Sequence, residues 1–130
     1  VILDTTFLLD LMRGDPGARA LLEQAESGSE PLRIPAPALA KLWEGAARSR
    51  HPPREADRLR DLLLAMPQAP FTGEHAVACG RILAAAERAG VALDPFDAMV
   101  AALASVEDET LVTRNARDFE RVDGLRIRTY

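Results

Sequence analysis

An α/β domain, with a mostly parallel sheet covered on both faces by helices, is the fold class this sequence predicts. Three observations carry it. Short strand-like runs at Val1 to Leu3, Leu32 to Pro35 and Thr110 to Thr113 alternate with longer helical patterns, and such alternation calls for parallel strands joined by right-handed crossovers. Val1 to Leu3 is apolar throughout, as expected of a strand buried on both sides. The chain's 130 residues suffice for one core and one domain, residues 1–130, because a chain of this size buries roughly two thirds of its extended surface.

The first strand ends at Asp4, and Phe7, Leu8, Leu11 and Met12 then mark one face of a helix that stops near Gly14. Asp15-Pro16 restarts the chain as cap and first turn of a helix carrying Ala18, Leu21, Leu22 and Ala25, closed by Ser27-Gly28-Ser29. Pro35 and Pro37 lead from the second strand into a helix over about 38–48. His51-Pro52-Pro53 breaks the chain before a helix with Ala56, Leu59, Leu62 and Leu63 on its apolar side. The segment from Met66 to Phe71 is weakly extended. Thr72 caps the long helix to Arg88, without the reciprocal box, because its third neighbour is His75 and not an acid or glutamine. Gly90 ends that helix. Pro95 opens a helix through Ala98, Val100, Ala101, Leu103 and Ala104, Arg114 to Glu120 reads as a loop or short helix, and Leu125 to Arg128 alternates as an edge strand.

Composition removes several classes of protein. No run approaches the ~20 apolar residues of a membrane span, and Val1 to Leu3, followed at once by Asp4, lacks the core of an export signal. One cysteine, Cys79, excludes a disulfide framework and points to a reducing cytoplasm. A cysteine-based zinc site is equally out of reach. Sixteen basic against twenty acidic residues give a formal charge of −4, which argues against a general nucleic-acid coating protein. A nuclease is compatible with that charge, since carboxylates that hold metal subtract charge where the substrate is cut.

Functional groups of open parallel sheets gather beyond the carboxyl ends of the strands. Asp4 directly follows the first strand, Asp118 follows the Thr110 to Thr113 strand, and Asp97 begins a helix whose amino end faces the same rim. Close carboxylates repel, and a divalent cation offsets that repulsion. An all-oxygen set favours Mg²⁺, with Mn²⁺ as the alternative. Each acid also has a structural reading: Asp4 as a helix cap, Asp97 as a partner of the helix dipole, Asp118 as a partner of Arg114 or Arg117. Asn115 is placed to hydrogen-bond a substrate phosphate or a water, and Thr6 to orient Asp4 or Asp118. Trp43 reads as core or dimer surface, and the arginines from Arg48 to Arg60 as a solvated helical face diluted by Glu55, Asp57 and Asp61.

Three blocks, Asp4 to Gly14 (DTTFLLDLMRG), Pro95 to Ala102 (PFDAMVAA) and Leu111 to Glu120 (LVTRNARDFE), together resemble the PIN-domain ribonucleases, specifically the VapC-type toxins of prokaryotic toxin-antitoxin pairs. The blocks keep the family's order and the resemblance spans essentially the whole chain. It implies a three-layer α/β/α fold and an acidic Mg²⁺ site that cuts RNA. Asp4, Asp97 and Asp118 match the family's metal-binding acids, Asn115 a position held by Asp or Asn, and Thr6 the hydroxyl near the first acid. A homodimer and a cognate antitoxin whose tail enters the active-site groove are implied as well. One position departs from the pattern. The family's second acid stands four residues before a helix glycine, where this chain has Lys41, and Glu44 lies nearly one turn further on.

The sequence therefore reads as a cytoplasmic, Mg²⁺-dependent endoribonuclease, the toxin of a type II toxin-antitoxin system. Its expected catalytic set is Asp4, Asp97, Asp118, Asn115, Thr6 and Glu44, with Asp4, Asp97 and Asp118 on the metal. Two alternatives stay open: a catalytically weakened PIN-like protein that binds RNA or antitoxin, and a phosphoryl-transfer protein resembling a response-regulator receiver.

Overall fold

The computed structural model describes all 130 residues. Five two-residue strands, β1 (Ile2–Leu3), β2 (Ile34–Pro35), β3 (Gln68–Ala69), β4 (Leu111–Val112) and β5 (Ile127–Arg128), alternate with six helices. The helices are α1 (Thr5–Arg13), α2 (Pro16–Ser27), α3 (Ala36–Arg48), α4 (Pro52–Ala65), α5 (Gly73–Arg88) and α6 (Pro95–Val106), and a 3₁₀ turn spans Ala116–Asp118. Every strand pairing is parallel: β1 with β4, β4 with β5 and β2 with β3. A parallel bridge between Ile2 and Arg33 joins the two sheets edge to edge, so the strands run β3-β2-β1-β4-β5. The first strand is thus the centre of the sheet.

Ile2, Leu3 and Leu111, Val112 are all fully buried. Successive strand residues point to opposite faces, so both faces of the central strands are covered and the molecule has the three layers of an α/β/α fold. One apolar core extends from Val1 to Phe119 and draws on β1 to β4 and on α1, α2, α3, α4 and α6. A small satellite of Cys79, Ala98 and Ala102 fills the seam between α5 and α6. Burial pushes the Cys79 thiol up from its ordinary value, away from the thiolate that reactive cysteines need. No helix is long and apolar enough to cross a membrane.

Several helix ends follow the expected chemistry. Gly14 closes α1 at φ +80°, its N–H donating to the carbonyls of Asp10 and Leu11, and a side chain there would be strained and would meet Arg19. Asp15 caps α2 by accepting from Ala18 N–H at 2.9 Å. At α5 the sequence argued against a reciprocal box, yet the box forms. His75 Nδ1 accepts from the Thr72 N–H at 2.9 Å while Nε2 lies 3.0 Å from Glu107 Oε1. An imidazole that accepts at Nδ1 does the work of the usual glutamate.

Trp43 packs half-buried against the core, with the Arg60 guanidinium 5.7 Å from its ring centre. The arginines of α3 and α4 are largely paired locally, Arg48 with Glu44, Arg58 with Glu55 and Arg60 with Asp57. This is the solvated face expected from the charge pattern.

Candidate active site

β1 and β4 lie side by side with Leu3 opposite Val112, so the next residue of each, Asp4 and Thr113, come together just past the strand ends. Asp4 is buried, and its N–H continues the ladder to the Val112 carbonyl at 2.9 Å. It occupies the N-cap position of α1, but its side chain caps nothing. Instead Oδ2 accepts from the hydroxyls of Thr6 and Thr113, each at 2.8 Å. Both hydroxyls are in turn committed by the backbone: Arg114 N–H donates to Thr6 Oγ1 at 3.1 Å, and Asn115 N–H donates to Thr113 Oγ1 at 3.0 Å. The capping reading of Asp4 therefore fails, and the hydrogen bond expected between Thr6 and Asp4 is present. Oδ1 accepts no bond from the chain and is not sealed from solvent. One oxygen of Asp4 is held and the other is left for something else.

Asp97 enters from the first turn of α6. The cap of that helix is Asp94, whose Oδ1 accepts from the N–H groups of Phe96 (2.9 Å) and Asp97 (3.2 Å). With the cap filled by a neighbour, the Asp97 carboxylate is free to face the rim. Burial is the largest influence on it and raises its pKa to about 6; Lys41 opposes this, while Asp4, Asp94 and Asp118 reinforce it. The three sequence-predicted acids thus share one electrostatic neighbourhood. They do not close into a finished cage, since no three acids, histidines or cysteines form a metal-holding group.

Lys41, on α3, reaches the same place. Its Nζ lies 3.8 Å from Asp94 Oδ1 and 4.0 Å from Asp97 Oδ1, and 5.8 Å from the centre of the Phe96 ring. Glu44 does not. It is exposed and pairs with Arg48 at 3.1 Å, one turn along its own helix, so the expectation that Glu44 replaces the missing acid is not met. A neighbour at i+4 on the same face is simply nearer than the rim. Asp118 and Asn115 are exposed on the 3₁₀ turn and its leading residue. Asp118 pairs with neither Arg114 nor Arg117.

Arg114 is engaged elsewhere, in a cluster that sequence reasoning missed. The carboxylate of buried Asp10 accepts from Arg114 Nη1 at 2.7 and 2.8 Å and from the Tyr130 hydroxyl at 2.7 Å. The Tyr130 ring in turn meets Phe7 edge-on at 5.1 Å. Burial, then the bond to Asp10, raise the Tyr130 pKa. This cluster ties the loop after β4 to α1, the helix that carries Thr6. Thr113 was missed too, although a hydroxyl residue one step beyond a buried strand was the available signal.

Comparison with known proteins gives a consistent result. Residues 1–125 match the PIN domain. The chain is 27% identical over 129 residues to Ribonuclease VapC2 of Haemophilus influenzae, covering 99% of this chain and 96% of that one. It is 29% identical over 125 residues to the tRNA(fMet)-specific endonuclease VapC of Shigella flexneri, covering 96% and 93%. Among solved structures, DNA-bound VapBC from Salmonella typhimurium superposes with a TM-score of 0.89 at 26% identity, over 98% of this chain and 96% of that one. VapBC2 from Rickettsia felis, bound to a promoter DNA fragment, superposes with a TM-score of 0.92 at 22% identity, over 99% and 97%.

Proposed function

Because the chain belongs to the PIN-domain family, we propose that it is a VapC-type endoribonuclease, the toxin half of a type II toxin-antitoxin pair, and that its activity depends on Mg²⁺. The observation that carries this reading is the one-sided bonding of Asp4: Oδ2 is fixed by two hydroxyls while Oδ1, at the rim of the sheet, accepts no bond from the chain. The ribonuclease relatives, similar over nearly the full length of both chains, support the same reading.

The donor set suits the ion. Mg²⁺ commonly binds through one or two carboxylates and keeps several waters, so an open site with Asp4 and Asp97 as ligands, and Asp118 acting directly or through water, is an adequate seat. Mn²⁺ has the same preference for oxygen. When bound, the cation supplies Lewis-acid charge at the phosphoryl oxygen and makes water a better nucleophile. The chain's own residues do the rest. Thr6 and Thr113 hold Asp4 in one orientation. Asp94 leaves Asp97 free by taking the helix cap, and Lys41 fixes its carboxylate by charge. Asn115, exposed on the loop after β4, donates its amide N–H to the RNA phosphate as water attacks the phosphodiester in line.

The inhibitory partner is an antitoxin protein and the working form a homodimer. The test is hydrolysis of RNA by the purified chain with Mg²⁺ and with EDTA. Cleavage that requires Mg²⁺ and is lost in Asp4→Asn supports the reading; cleavage indifferent to both overturns it. A second reading, a PIN protein that binds RNA or antitoxin without turnover, is favoured by the ammonium of Lys41 standing beside Asp97. RNA binding with no cleavage under any divalent ion would select it.

A further inference from the structure

A cavity of about 620 Å³ lies between α5, the α5–α6 connection and the turn that carries Asp118. Its floor is apolar, made by residues such as Ile82, Ala85, Ala86, Val91 and Leu93. Arg81, Arg117 and Arg121 line it as well. All three arginines are exposed, and none is engaged in an ion pair, although Asp118 and Asp123 line the same cavity. Most of the cations of α3 and α4 are spent on local acids; these are not. In a chain of net charge −4, a cavity edged by three uncommitted guanidinium groups is a local reversal of sign.

The cavity borders the candidate active site through one shared residue. Asp118 belongs to its wall and acts electrostatically on Asp97. Leu93 lines it too, and the next residue, Asp94, is 3.8 Å from Lys41.

We propose that this cavity is the subsite for the single-stranded RNA next to the cut, with a base against the apolar floor and the adjoining phosphates on Arg81, Arg117 and Arg121. The inference rests on the ribonuclease reading and adds to it where the strand lies. Guanidinium groups suit phosphate because their planar fork offers paired donors. The volume falls within the ~300–1,000 Å³ of ordinary ligand clefts. Isoleucine, alanine, valine and leucine offer apolar contact to an unpaired base, which a duplex keeps stacked inside its helix, so the pocket favours a single strand.

The experiment is fluorescence anisotropy with a labelled single-stranded RNA dodecamer of mixed sequence, in EDTA, repeated across a salt series. Arg81→Ala and Arg121→Ala should each weaken binding about fivefold and reduce the slope of log affinity against log salt by about 0.7, the value for one phosphate contact on a single strand. Ala85→Trp, which fills the cavity from an exposed position, should weaken binding about tenfold with an unchanged Tm. Affinity and slope unchanged in all three variants would overturn the subsite. So would an Ala85→Trp chain that binds RNA normally but loses self-association or antitoxin binding, because the face would then belong to a protein. If the unaltered chain cleaves RNA while the three variants bind normally, only the subsite fails; if it neither binds nor cleaves RNA, the ribonuclease reading fails with it.

Discussion

Lys41 Nζ lies 4.0 Å from Asp97 Oδ1, at the rim where a second acid would complete an attractive site for a cation. The lysine supplies positive charge but no ligand, and it repels an incoming Mg²⁺. Lys41→Glu is therefore expected to tighten Mg²⁺ binding and to raise RNA cleavage about tenfold, the equivalent of ~1.4 kcal/mol in the transition state. Calorimetric titration and single-turnover cleavage measure the two effects separately. Because Glu44 is held by Arg48, Glu44→Gln should change neither; a clear loss of cleavage in Glu44→Gln would show that the glutamate leaves Arg48 to act at the site.

Asp97 gives a pH-dependent prediction for the metal-free chain. Its folded pKa, about 6, is above its ordinary 3.8, so the folded state binds the proton more tightly than the unfolded one. The contribution to stability is fully present below about pH 4 and is lost as pH rises through about 6. Asp97→Asn should accordingly stabilise the metal-free protein at pH 7 and leave it unchanged near pH 3.5. The shift sets a ceiling of about 3 kcal/mol, and partial exposure reduces the expected gain to roughly 1–2 kcal/mol. Denaturant melts in EDTA at the two pH values decide it, and equal effects at both would refute the charge argument. With Mg²⁺ added the sign should reverse, since the substitution removes a proposed ligand.

Thr113 donates to Asp4 from a fully buried position. Thr113→Val keeps the side chain's approximate shape and removes the donor, leaving Asp4 Oδ2 with Thr6 alone and the Asn115 N–H without its acceptor. A loss of about 1–3 kcal/mol in stability is expected, and cleavage should fall while the Kd for RNA is retained. Thr113→Ser should restore cleavage more than stability. Failure of the serine variant to recover activity would mean that the hydroxyl is not what orients Asp4.

The cluster of Asp10, Arg114 and Tyr130 predicts coupling between loop and helix. Tyr130→Phe should destabilise the chain by about 1 kcal/mol through the lost bond to Asp10. Asp10→Asn should do more harm, because it removes the charge that faces a guanidinium at 2.7 Å, and it should bring the Tyr130 phenol back toward its ordinary titration. Ultraviolet titration of the phenol reads this directly; an unchanged curve would disprove the contact. Since the loop also carries Asn115 and Asp118, hydrogen exchange at 114–118 should rise in Asp10→Asn.

The elements most readily read from the chain are those whose causes are local. Phe7, Leu8, Leu11 and Met12 share a helix face and Gly14 stops it; Asp15 caps α2; Pro95 begins α6. Each depends on residues within a turn or two, and each stands in the structure within a few residues of its expected place. The apolar character of Val1 to Leu3 points to a strand covered on both faces, while its central place in the sheet follows only from its pairings. His75 shows the limit of local rules: a reciprocal box is expected of an acid or glutamine, yet an imidazole nitrogen accepts the same N–H.

By itself the sequence determined the α/β class, the order of elements and the placing of Asp4, Asp97 and Asp118 at one rim, because periodicity, caps and strand ends are encoded within short windows. Only the tertiary structure decided which oxygen of Asp4 is held, that Thr113 is one of the holders, that Asp10 joins Arg114 and Tyr130, and that Glu44 turns to Arg48. Asp4 and Thr113 are 109 residues apart, Asp10 and Tyr130 120. Contacts of that span exist because β1, β4 and β5 lie side by side in one register, and no local preference of either residue specifies its distant partner. The Lys41 contacts with Asp94 and Asp97 arise in the same way, from the packing of α3 against α6.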